Sequence, residues 1–113
     1  MGKEPMVTKE NKVTEESKLR DYELVVIISP EVADDAVDGI VENISNLITR
    51  EGGTVDETDR WGKRKLAYPI KHFLEGNYVL FRCKMKPASG KGLEASLRIS
   101  EEVLRHLLVR LDS

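Results

Sequence analysis

Five consecutive residues, Leu24, Val25, Val26, Ile27 and Ile28, constrain this chain more than any others. Four of the five are β-branched, and successive side chains of a strand point to opposite faces, so a run without a polar residue is apolar on both faces. Such a strand belongs in the middle of a sheet rather than at its edge. It is predicted within residues 19–30.

A strand of this kind needs neighbours and a covering layer. The cover is predicted over residues 33–51, where Val37, Ile40, Val41, Ile44, Leu47 and Ile48 fall at the i, i+3, i+4, i+7 spacing of one helical face. Asp34, Asp35 and Asp38 stand in its first turns, where carboxylates suit the positive end of the helix dipole, and Gly52 and Gly53 can end it. A second strand is predicted over 55–70 and a third over 76–86, joined through His72, Phe73, Leu74 and Glu75. In the third, Val79, Phe81, Cys83 and Met85 alternate with Tyr78, Leu80, Arg82 and Lys84, giving one core face and one partly cationic face. A shorter helix at 91–100 uses Leu93 and Leu97, with Gly90 and Gly92 weakening its start by about 1 kcal/mol each if helical. A last strand covers 103–111.

The order βαββαβ is that of a ferredoxin-like α+β fold, two helices on one face of a four-stranded antiparallel sheet. With the first and third strands central, the second lies at an edge, as its Pro69 also requires, since proline has no N–H to give a neighbour. Residues 1–18 carry charges of both signs, few large apolar groups and no period. They are expected to form a disordered tail before a single domain at 19–113.

No apolar run approaches the roughly 18 residues of a membrane-spanning helix. The N-terminus lacks the apolar segment of a secretory signal, which predicts a cytoplasmic protein. The lone Cys83 can form no internal disulfide and reads as a small buried hydrophobe. His72 and His106 lie far apart in sequence with no ligand at metal spacing, and no cofactor motif is present.

The charges are sorted by position. Between Arg60 and Leu93 stand nine cations and one acid, Glu75, a net +8 within a chain whose total is −2. Residues 31–59 hold nine acids against Arg50 alone. A polyanion would dock on the first segment and be repelled by the second. A merely solvated cationic face has the same charge pattern. The densest part is WGKRKLAYPIK, where Lys63, Arg64, Lys65 and Lys71 surround Trp61, Leu66, Tyr68 and Ile70. Gly62 reads as a bulge or a close backbone approach. Trp61 reads first as a hydrophobic anchor and, beside three cations, also as a candidate RNA contact.

Gly62 to Lys71, reading GKRKLAYPIK, resembles the signature of bacterial ribosomal small-subunit protein number six almost position for position. Arg20-Asp21-Tyr22-Glu23 resembles that family's opening. Leu97-Arg98, followed by Glu102-Val103-Leu104-Arg105, resembles its run from second helix to last strand. The resemblance covers about 19–111. It implies the same ferredoxin-like fold and no enzymatic activity. It also implies binding to small-subunit (16S) ribosomal RNA jointly with small-subunit protein eighteen, with no small-molecule substrate. Arg20, Arg98 and Arg105 join Trp61, Lys63, Arg64, Lys65, Tyr68 and Lys71 as expected RNA contacts.

The sheet face without helices is the expected protein-binding face. Taking Leu24, Val26 and Ile28 as core leaves Val25 and Ile27 exposed there, and Leu107 and Val109 of the last strand widen the patch. A different class of function, an acylphosphatase-like hydrolase or small-molecule-sensing domain, needs an anion-cradling loop after the first strand. Ile28-Ser29-Pro30-Glu31 is neither glycine-rich nor cationic.

Overall fold

The computed structural model describes residues 18–111; the expected tail, apart from Lys18, lies outside the described residues. The elements run β1 (Arg20–Ile28), α1 (Asp34–Arg50), β2 (Thr54–Ile70), β3 (Phe73–Met85), α2 (Ser89–Ile99) and β4 (Val103–Arg110). The sheet order is β2-β3-β1-β4, antiparallel at every junction. The apolar run is therefore central and Pro69 lies on an edge strand, as the sequence predicts.

Leu24, Val26 and Ile28 are fully buried and pack with Val79, Phe81, Cys83 and Met85 of β3. Val37, Ile44 and Ile48 of α1 and Leu93 and Leu97 of α2 close the same core. The parity expected for β1 is thus the observed one. Each large aliphatic side chain removed from water there contributes about 1.5–3 kcal/mol before entropy is subtracted. Helix α1 stops at Gly52 (φ 90), with the Gly52 and Gly53 N–H groups donating to the carbonyls of Thr49 and Ile48.

The β2–β3 hairpin departs from expectation at its tip. The third strand begins at Phe73 rather than Gly76, and the connection is only Lys71 and His72, both with positive φ (49° and 64°). Two successive left-handed residues form the tight hairpin turn that matches strand twist, usually with Asn or Gly. That absence of turn residues hid it in the sequence.

β2 also leaves its ladder. Gly62 (φ 82) follows Trp61, the extra residue at a bulge between Arg60 and Gly62. Beyond the Lys65–Glu75 pair the register resumes only at Ile70–Phe73. The intervening Leu66 to Pro69 swing across the face without helices. Tyr68 there accepts a hydrogen bond from Arg105 of β4, the opposite edge of the sheet.

This strap corrects one expectation. Ile27 is not exposed: it is only 9% accessible, while Val25 is half-buried. Gly76 also lies against Ile27; a Cβ on that glycine would stand 2.5 Å from the Ile27 Cγ2. Local alternation assigns a residue to a face but cannot show that a distant segment covers that face.

Candidate nucleic-acid interface

The cations fall into two groups according to what their strands face. On β3, strand alternation places Arg82 and Lys84 on the helix-free face, directly opposite Glu23 and Asp21 of β1. Arg82 Nε lies 3.2 Å from Glu23 and its Nη1 3.7 Å from Glu57. Lys84 Nζ lies 2.9 Å from Asp56 and 3.4 Å from Asp21. The hydrogen bond to Asp56, then the charges of Asp56 and Asp21, hold the Lys84 ammonium above the usual lysine pKa. These two cations are neutralised within the protein. Arg60, on the helix side of β2, is likewise paired with Asp38 of α1.

Lys63, Lys65, Lys71 and Arg98 differ: among the described residues none has a carboxylate within ion-pair distance. The strand does not present its three consecutive cations on one face. Arg64 lies over the Trp61 ring, 5.4 Å from its centroid, and Trp61 stacks on Tyr78 with centroids 6.1 Å apart and planes 13° apart. Lys63 instead lines a hollow on the helix side with Asp34, Arg60 and Asn77. Trp61 is both anchor and surface: its indole N–H donates to Asp59 at 3.2 Å, yet it is among the exposed large hydrophobic residues.

Three of the expected RNA contacts come together. Lys71 from the hairpin turn, Arg98 from the last turn of α2 and Arg105 from β4 line one hollow of about 300 Å3 with Leu97, Val103, Leu104 and His106. Arg105 also sits 5.9 Å from the centroid of the Tyr68 ring whose hydroxyl it meets. Arg20 does not join them. It pairs in register with Met85 at the far end of β1, about 23 Å along the strand from Ile27.

The expected protein-binding residues lie around the strap. Val25, Ile27 and Leu107 line an apolar hollow of about 280 Å3 together with Leu66, Tyr68 and Ile70. Leu107 is 58% exposed and Val109 lies exposed beyond it. The strap residues were legible as apolar in sequence, but not as a wall of this hollow.

Cys83 is 1% exposed, and burial, with a smaller effect from Asp56, pushes its thiol up to about 11, so it is not a poised nucleophile. Among the described residues no three His, Cys, Asp or Glu side chains gather as a metal site, and no helix is long and apolar enough to cross a membrane. After β1, the Ser29 N–H donates to the Glu102 carbonyl and the Glu31 N–H to the Ser29 hydroxyl, so these donors of the loop are already engaged.

A family model described as Ribosomal protein S6 matches residues 21–110. Small ribosomal subunit protein bS6 of Dehalococcoides mccartyi is 47% identical over 94 residues, covering 83% of this chain and 86% of the relative. The protein of the same name from Moorella thermoacetica is 42% identical over 94 residues, covering 83% and 96%. The crystal structure of 30S ribosomal protein S6 from Thermotoga maritima superposes with a TM-score of 0.78 at 33% identity, over 82% of this chain and 88% of that one. The chain therefore belongs to the ribosomal protein S6 family, whose members are structural rather than enzymatic proteins.

Proposed function

We propose that this protein is a structural constituent of the small ribosomal subunit that binds small-subunit ribosomal RNA jointly with small-subunit protein eighteen. The carrying observation is the division of the cations. Arg82 and Lys84 are matched by acids of the chain, whereas Lys63, Lys65, Lys71 and Arg98 have no carboxylate partner among the described residues and suit an external anion. A phosphate backbone supplies such an anion, and each phosphate neutralised contributes about 0.7–0.9 to the slope of log affinity against log salt.

The helix-free face supports the protein partner. Val25, Leu107 and Val109 offer apolar surface around a hollow floored by Ile27, beside Arg105 and therefore next to the cationic end. A partner seated there would reach the RNA alongside this chain. Arg20, at the opposite end of β1, belongs to a separate RNA contact on this reading.

Co-sedimentation of the protein with the small subunit from cell lysate at moderate salt tests the assignment. Retention is expected, with loss on changing Lys63, Arg64 and Lys65 together to glutamine. A variant that kept both its affinity for the RNA and its salt slope would refute the role of those three residues.

A further inference from the structure

We infer that the hollow between the β2–β3 turn, the end of α2 and the start of β4 is a seat for a single phosphate group, held by Lys71, Arg98 and Arg105. The occupant is a phosphodiester of RNA. This rests on the RNA-binding reading above and fixes where the protein grips one point of that backbone.

Three cations arrive in one hollow from three separate elements, and among the described residues no carboxylate lines it. Lys71 comes from the left-handed hairpin turn, Arg98 from the last turn of α2 and Arg105 from the outer strand β4. Like charges gathered without a counter-ion oppose folding rather than support it. By contrast, Arg82 and Lys84 each have two acids within ion-pair distance and Arg60 has one. A cluster denied that treatment is suited to an anion brought from outside.

The geometry favours a phosphate. Arg105 donates one Nη1 hydrogen bond to the Tyr68 hydroxyl, which orients its guanidinium and leaves further N–H groups. Guanidinium forks bind phosphate oxygens in pairs, and an ammonium adds a point charge. All three side chains belong to exposed residues, so the seat is open to a polymer passing over the surface. His106, which also lines the hollow, lies 3.4 Å from Glu94 of α2. Tyr68 is thus a positioning residue, acting through Arg105.

The same donor set would accept free polyphosphate, and the test separates the two sources. The full-chain protein, together with small-subunit protein eighteen, is titrated with small-subunit rRNA over a range of salt, and the full-chain protein is titrated separately with inorganic pyrophosphate. The variants Arg98→Gln and Lys71→Gln are compared with the triple change at Lys63, Arg64 and Lys65. Each single change is expected to lower rRNA affinity about fivefold to tenfold and the salt slope by about 0.7–0.9. The thermal midpoint should stay level or rise, because a repelled cation has been removed.

If neither single change moves the slope while the triple change does, the seat is wrong and the RNA reading stands. If no variant moves it, both fall. Saturable pyrophosphate binding that is lost in Arg98→Gln while rRNA binding is untouched overturns the assignment to RNA. A midpoint lowered by more than about 4 °C in both single variants makes the cluster structural and also overturns the seat.

Discussion

The two ends of the sheet set the same kinds of side chain in opposite surroundings. Where β1 begins, Arg82 and Lys84 are interleaved with Asp21, Glu23, Asp56 and Glu57, so charge is spent holding β1, β2 and β3 in register. Where β1 finishes, Lys71, Arg98 and Arg105 share a hollow that has no acid on its walls among the described residues. A count of lysines and arginines along the sequence does not separate these groups; what separates them is the strand opposite. Basic composition therefore overstates the cationic surface open to a partner, because part of it is internally neutralised.

The largest effect should come from the floor beneath the strap. Ile27→Lys places a charge at a residue only 9% exposed and should destabilise the fold by more than about 3 kcal/mol in denaturant melts. Leu107→Lys, on the same face but 58% exposed, should leave stability within about 0.5 kcal/mol. It should weaken binding of protein eighteen by more than about 1 kcal/mol. Equal stability losses in the two variants would show that the strap does not cover Ile27.

Gly76 sharpens the same point. Because its Cβ would meet Ile27 at 2.5 Å and the Ile28 carbonyl at 3.3 Å, Gly76→Ala should cost about 1–3 kcal/mol through overpacking. A neutral result would indicate that the Ile27 side chain can shift away from β3.

At the paired end the expected change is smaller. Arg82→Gln removes two half-exposed ion pairs, which after solvent screening are worth about 0.2–1 kcal/mol each at most. Its RNA affinity should not change. A large affinity loss with intact stability would erase the distinction between the two ends.

A pH-dependent effect concerns Cys83. Its thiol is raised to about 11 in the folded protein from 9.0, so between these values the native state holds a proton that the unfolded state has lost. Stability contributed by the neutral thiol is complete below pH 9 and falls as pH rises towards 11. Cys83→Ala should flatten that part of the pH–stability profile, although the cavity it leaves will lower the whole curve.

Much of the fold was legible because it depends on local periodicity. The uninterrupted run in β1, the helical spacing from Val37 to Ile48 and the alternation from Val79 to Met85 each reflect one face of one element. Pro69 marked the edge. The parts that were not legible depend on residues far apart in sequence. Arg82 meets Glu23 across 59 positions and Lys84 meets Asp56 across 28. Alternation outward from Val25 already puts Asp21 and Glu23 on the helix-free face, so a register for β1 against β3 would have revealed the neutralised pairs. The strap had no such signal. Tyr68 reaches Arg105 only because four residues of β2 leave the ladder before a turn made without glycine or asparagine.

The division between the two ends is tested most directly by comparing salt slopes for small-subunit rRNA between two neutralised proteins. One carries Arg82→Gln with Lys84→Gln, and the other carries Lys71→Gln, Arg98→Gln and Arg105→Gln. The first should keep the parent slope and the second should lose about 0.7–0.9 from it, the share of one phosphate. Equal losses in both proteins, or a loss confined to the first, would contradict the account.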